Sequence, residues 1–230
     1  MTKRVAISQS NYIPWKGYFN IIRDTDEFVL LDDVQYTRRD WRNRNLIKTP
    51  SGLKWLTIPV NVKGNYFIKI KDVQAVNDDW RIDHWSAIQQ AYKKAPYFPH
   101  YKDQLEDVYL RSRERNLSMI NFNFITLINL LINITTPIRW SMDFDAPSEK
   151  SERLLYICKC LKAKEYISGP AAKNYLDTQQ FDKNNIQVRW ADYSNYPVYN
   201  QLYPPFEHAV SIIDLLFNEG PTAFVYLKQI

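Results

Sequence analysis

Glu27-Phe28-Val29-Leu30-Leu31-Asp32-Asp33 decides the fold of this 230-residue chain. Four consecutive large apolar residues that stop abruptly at two carboxylates read as a strand covered on both faces, as in a parallel sheet. Parallel strands need crossover connections, and the upstream sequence supplies one. Arg4 to Ser8 is a short β-branched and apolar stretch, and Gly17 to Arg23 then carries a helical pattern through Tyr18, Ile21 and Ile22. Strand, helix, strand in that order predicts an α/β fold with a mostly parallel sheet flanked by helices.

Working outward, Lys54 to Val60 and Phe67 to Val73 are expected to pair as a hairpin around Lys63-Gly64-Asn65. A helical insertion is expected over about 78–135. Its first helix, Trp80 to Lys94, is capped by Asp78 or Asp79 and closed by Pro96, and Tyr101 to Arg113 and Leu117 to Ile134 follow. After Pro137 the alternation returns: strand Ile138 to Ser141, a helix through Leu161 capped by Ser148 or Ser151, then strands at Tyr166-Ile167 and Ile186 to Trp190 with a short helix from Ala171 between them. The whole of 1–230 reads as one domain.

Composition narrows the function. With 45% hydrophobic residues, five glycines and twelve prolines, the chain is neither disordered nor linker-dominated. Its most apolar run, Phe122 to Ile134, is broken by Asn123, Thr126, Asn129 and Asn133, so no integral membrane segment is expected. Basic residues precede Val5-Ala6-Ile7 without the apolar stretch of a signal peptide, which makes a cytoplasmic protein the expectation. Cys158 and Cys160 point apart on a helix, and His84, His100 and His208 are scattered, so no metal ligand set is expected. A net charge of +5 without an RNP, KH or zinc-finger pattern favours a small anionic ligand over nucleic acid. The 15% aromatic share suits a cleft that stacks on sugars or bases.

Four segments fall where open α/β sheets place their sites. The loop after the first strand offers Gln9, Asn11, Tyr12, Trp15 and Lys16 ahead of a helix N-terminus. Asp32 and Asp33 supply carboxylates for a general base or a divalent ion. Gln35, Arg39, Trp41, Arg42, Asn43 and Arg44 follow, with guanidinium groups suited to forked contacts with a diphosphate. Ser168, Gly169 and Lys173 mark a late strand-to-helix turn that suits an anion, and Tyr199 and Gln201 lie in an aromatic, extended segment. Tyr12, Trp15, Asp33, Gln35, Arg39, Trp41, Asn43 and Arg44 are expected to share one cleft, because consecutive parallel strands open on one edge.

Gln9, Tyr12, Pro14, Trp15, Gly17, Tyr18 and Phe19, then Asp32-Asp33-Val34-Gln35-Tyr36, then Trp41, Asn43, Arg44 and Asn45 together resemble the WbqC-like family. The resemblance continues through Gln90 to Tyr97, Glu152-Arg153-Leu154, Tyr166 to Gly169 and Ser211 to Asn218, nearly the whole chain. Ser10 departs from the proline that many members carry. The resemblance implies a place among genes for O-antigen and other surface polysaccharides, without implying a reaction.

Three functions fit these residues. The first is an enzyme acting on a nucleotide-linked amino sugar by acyl transfer to its amine, with an acyl donor such as a CoA thioester and with homodimerisation left open. The second is a nucleotidyltransferase-like adenylylating protein, which lacks a His-x-Gly-His pair in the Gln9 to Tyr18 loop. The third is a non-catalytic sugar-binding component of the same pathway.

Overall fold

The computed structural model describes residues 2–228. In chain order its regular elements are β1 (Arg4–Ser8), α1 (Lys16–Arg23), β2 (Glu27–Leu30), β3 (Arg44–Thr49), β4 (Gly52–Thr57), α2 (Asp79–Tyr92), α3 (Phe98–Leu110), α4 (Leu117–Leu131), β5 (Ile138–Trp140), α5 (Lys150–Cys160), β6 (Glu165–Ser168), α6 (Thr178–Lys183), β7 (Gln187–Trp190) and α7 (Ile212–Glu219).

Five strands form one parallel sheet in the order β5-β2-β1-β6-β7. Phe28, Val29 and Leu30 are fully buried, as a strand covered on both faces must be. Alternation divides them: Ala6, Phe28, Leu30 and Ile167 join a core with residues of α1, α2, α3, α4 and α7. Val5, Ile7, Val29 and Tyr166 join a second core with residues of α5 and α6. The sheet is therefore covered by helices on both sides, a doubly wound α/β arrangement.

The insertion contains α2, α3 and α4, whose aromatic and aliphatic side chains enlarge the first core. Two expected caps differ from those observed. Asp78 precedes α2 but its carboxylate takes the guanidinium groups of Arg81 and Arg115 instead of a backbone N–H. Glu149, not a serine, caps α5 by accepting from the Glu152 N–H.

The expected hairpin is the main correction. β4 pairs with β3 across Pro50-Ser51, in register Arg44↔Thr57 through Thr49↔Gly52. Residues 67–73 hold only a bridge from Lys69 to Gln35 and a single 3-10 turn at Ile70–Asp72, and Phe67 is 84% exposed. Lys63-Gly64-Asn65 is a turn in a loop, not a strand connection.

Candidate functional site

Counting parallel strands alone, the order is 3-2-1-4-5, so the chain leaves β1 toward one edge and later returns to its other side as β6. Connections on either side of that point diverge, which opens a crevice beyond the C-terminal ends of β1 and β6. A cavity of about 400 Å³ lies there. Ser8 and Gln9 line it from β1, Ser168 and Gly169 from β6, and Ser148, Lys150 and Arg153 from the start of α5. Arg42 reaches in from the segment before β3. Its charged lining residues are Arg42, Lys150 and Arg153, with no carboxylate among them.

Each cation is held. The Arg153 Nε donates to the Pro147 carbonyl at 2.8 Å, and its Nη1 lies 3.3 Å from Asp33 Oδ2. Lys150 places its ammonium 5.4 Å from the Tyr175 ring centroid. Arg42 donates weakly to the Ser10 carbonyl and sits 3.6 Å from Asp40, while its buried Nε has no partner among the described residues. Asp33 accepts from Ser141 Oγ at 2.5 Å and is the carboxylate nearest this cluster through Arg153.

The first loop borders the crevice as a fixed wall. Its Ser10 N–H donates to Asp32 Oδ1 at 2.8 Å, and Asn121 of α4 donates to Ser10 Oγ at 3.0 Å. Tyr12 is fully buried, its hydroxyl 2.6 Å from that of Tyr109 and 2.9 Å from His84 Nδ1. Ile13, a β-branched residue preceding proline, is held at φ 36°, a conformation such residues rarely adopt. Asn45 stabilises it by donating to the Tyr12 and Ile13 carbonyls at 3.1 and 2.8 Å. The Ile212 N–H at the start of α7 closes the loop on the Pro14 carbonyl.

This geometry redistributes the expected roles. Asp32 is fully buried between Ser10 and Ser118, and burial pushes its carboxyl above the usual range. It positions the loop and is out of reach as a base. Tyr12 faces the core, and Asn43 is buried with its amide donating to the Ile58 carbonyl. Gln35 donates to the Tyr66 carbonyl on the surface, and Arg39 is exposed, with its carbonyl accepting from Arg44. The Arg44 guanidinium lies 4.2 Å from the Trp55 ring centroid. These residues do not form the single cleft expected of them. The Asp32-Asp33 turn and the first loop do meet on one sheet edge, as the Ser10 to Asp32 bond requires.

Trp15 and Trp41 do share a space, a second cavity of about 290 Å³ with Asn11, Pro14, Asn45 and Ala209. It lies beside the crevice, since Gln9 and Arg42 line the one while Asn11 and Trp41 line the other. Lys173 stands apart, exposed and 5.7 Å from the Trp190 ring.

Tyr199 and Gln201 belong to a buried network around Asp214 of α7, a residue to which no sequence reading gave a role. Tyr199 and Tyr92 donate to its carboxylate at 2.5 and 2.9 Å, and Gln201 donates at 2.8 Å. Burial pushes the Asp214 carboxyl up against these donors and the nearby Lys48. Lys16 donates to the Pro197 carbonyl and lies 5.2 Å from the Tyr196 and Tyr199 rings; burial lowers its ammonium to about 8, against the pull of Asp214. The network joins α1, α2, β3, α7 and the loop between β7 and α7, and its residues do not line the crevice.

Sequence reading also passed over Lys150 and the crevice-lining place of Arg153. Their signal was the strand-to-helix step at β5 and α5, since a helix leaving a parallel strand starts at the sheet edge where sites form. Among the described residues no three His, Cys, Asp or Glu side chains gather as metal ligands, and no helix is long and apolar enough to cross a membrane.

The profile of the WbqC-like protein family matches residues 9–226. The chain is also 46% identical to Rv1507c, an uncharacterized protein of Mycobacterium tuberculosis, over 98% of each chain. No solved structure matches it.

Proposed function

This chain belongs to the WbqC-like protein family, and we propose that it holds the diphosphate of a nucleotide-linked amino sugar in the crevice between β1 and β6 and transfers an acyl group to the sugar amine. The observation that carries this reading is three basic side chains, Arg42, Lys150 and Arg153, converging at the switch point of a doubly wound sheet with no carboxylate among the lining residues. A diphosphate there meets the charge of two guanidinium groups and an ammonium, and Ser148, Ser168 and Gln9 line the same space as partners for sugar hydroxyls.

The reaction is amine attack on the carbonyl carbon of an acyl donor such as a CoA thioester, with the thiolate leaving. We assign the amine proton to Asp33, which is partly exposed behind Arg153 and outside the lining itself, in place of buried Asp32. This activity serves construction of a bacterial surface polysaccharide from cytoplasmic precursors.

Calorimetric titration with uridine-, thymidine-, guanosine- and cytidine-linked sugars tests it. Binding is expected to weaken with salt, and Arg153→Lys is expected to cost about tenfold or more in affinity, since a charged hydrogen bond is worth about 1.5–3 kcal/mol. Undiminished binding in Arg42, Lys150 and Arg153 variants, or no binding of any sugar nucleotide, rules the reading out.

A nucleotidyltransferase-like adenylylating activity is the second reading, favoured by the Ser168-Gly169 turn facing Gln9 across the same crevice. It ranks below the first because none of the three histidines lines that space. ATP-dependent release of pyrophosphate reverses the ranking.

A further inference from the structure

We propose that the cavity between Trp15 and Trp41 takes the nucleobase of the ligand whose phosphates sit in the neighbouring crevice, and that Trp55 holds Trp41 in place for stacking. The proposal rests on the crevice reading for the phosphates and adds where the base lies.

The cavity walls are chemically lopsided. Two indoles, Pro14 and Ala209 provide flat apolar surface, and the polar side chains are Asn11 and Asn45. Asn45 is already committed: its Nδ2 donates to the Tyr12 and Ile13 carbonyls, and its Oδ1 accepts from the Leu46 N–H. A sugar ring placed there would bury several hydroxyls with one amide to serve them, and each unpaired hydroxyl is costly. A base has two apolar faces and few edge groups, so it suits this lining. The side of the site with polar groups to serve sugar hydroxyls is the crevice, through Ser148, Ser168 and Gln9.

Trp41 belongs to a tripeptide that serves both spaces. Its own indole lines the aromatic cavity, Arg42 lines the cationic crevice, and the buried Asn43 anchors the pair by its bond to the Ile58 carbonyl. Trp41 is nonetheless 41% exposed, as is 44% of Trp55 beside it on β4. The two rings are 5.6 Å apart and tilted by 37°, and Arg44 packs on Trp55. Two large exposed indoles, ordered against each other at the mouth of an apolar cavity, are an incomplete stack that a planar ligand extends. Trp55 does not line the cavity, so it is a positioning residue acting through Trp41.

The test compares uridine diphosphate and guanosine diphosphate with inorganic pyrophosphate, titrated calorimetrically into the full chain and its variants. The native chain is expected to bind both nucleoside diphosphates about tenfold or more tighter than pyrophosphate, the advantage that stacking of one base supplies. Trp41→Ala is expected to abolish that advantage while pyrophosphate binding stays within about twofold. Trp55→Ala is expected to reduce it, and Trp41→Phe to preserve most of it, a pattern that general unfolding cannot produce. Arg153→Ala lowers pyrophosphate and nucleoside diphosphates together, and its failure to do so refutes the crevice reading alone. The base site is overturned if nucleoside diphosphates bind no tighter than pyrophosphate, or if Trp41→Ala keeps the advantage. Absence of binding by all three probes overturns both.

Discussion

The Gln9 to Lys16 loop and the Gln35 to Arg44 segment look alike in sequence, both polar, aromatic and full of groups that bind ligands, yet the fold uses them differently. The first is pinned at almost every residue: Ser10 by Asp32 and Asn121, Tyr12 by Tyr109 and His84, Ile13 by Asn45, Pro14 by α7. The second lies mostly at the surface, where Arg38 and Arg44 donate to backbone carbonyls and Arg39 is solvated. Density of polar residues in a loop therefore marks how firmly a wall is fixed as much as what touches ligand. In this chain the cavity-lining groups are neighbours of the pinned ones, Gln9 and Asn11 beside Ser10, and Arg42 and Trp41 beside Asn43.

The sharpest way to break this contrast is Asp32→Ala. Loss of the carboxylate strands the buried Ser10 N–H and Ser118 hydroxyl, and the expected cost is about 2–4 kcal/mol in urea unfolding. A cost below about 0.5 kcal/mol would show that the loop is not anchored there.

His84 gives a pH-dependent version of the same test. Burial lowers its imidazole to about 4, while the unfolded side chain titrates near 6.5. The unfolded chain thus binds the extra proton first, and stability falls as pH drops from about 6.5 to about 4, by about 3 kcal/mol over the full window. Asp32 and Asp214 act with opposite sign. Burial raises their folded carboxyls above the unfolded ones, so protonation favours the folded chain as pH falls through those raised values. The decisive quantity is therefore the difference in slope between native protein and His84→Gln from pH 7 to 5. A shallower slope in the variant is expected, and equal slopes would remove His84 from the acid response.

Asn45→Ala is expected to cost about 1–2 kcal/mol, because two carbonyls of the strained Tyr12-Ile13 turn lose their donor. It is also expected to weaken nucleotide binding, since the Trp15 wall follows directly. Unchanged melting and binding would mean that the φ of Ile13 is held by other contacts.

At the small end, Arg39→Ala in the solvated segment is expected to change stability by less than about 0.5 kcal/mol and to leave sugar-nucleotide affinity unaltered. A tenfold loss of affinity would return the outer arginines to the site and show that the surface segment touches ligand.

The parallel sheet was legible because its central strands β1 and β2 are apolar on both faces, and the insertion because Pro96 closes its first helix, although the expected Asp78 cap binds arginines instead. The hairpin was not. Asn45 and Lys48 put polar groups on buried β3 positions, where they serve Ile13 and Gln201, so Arg44 to Thr49 lacks the apolar alternation of a half-buried strand. Phe67 and Ile68 beside a glycine turn imitated the pairing that Pro50-Ser51 in fact provides. The candidate crevice lies beyond β1 and β6, and its Gln9, Arg42, Ser168 and Gly169 were legible as candidates while its other two cations were not. Lys150 and Arg153 enter it only because the crossover from β5 to β6 places the start of α5 over the β1 end, a juxtaposition more than a hundred residues distant in sequence. Asp32 and Asp33 are adjacent in sequence, yet one is sealed in the core and the other faces Arg153, and only the tertiary packing separates them.

A crystal structure of the chain soaked with a uridine- or thymidine-linked amino sugar tests the central claim most directly. The expected result places diphosphate oxygens within hydrogen-bonding distance of Arg42, Lys150 or Arg153, beyond the ends of β1 and β6. A diphosphate held instead by Arg39 and Arg44 on the outer face, with the crevice empty, would contradict it.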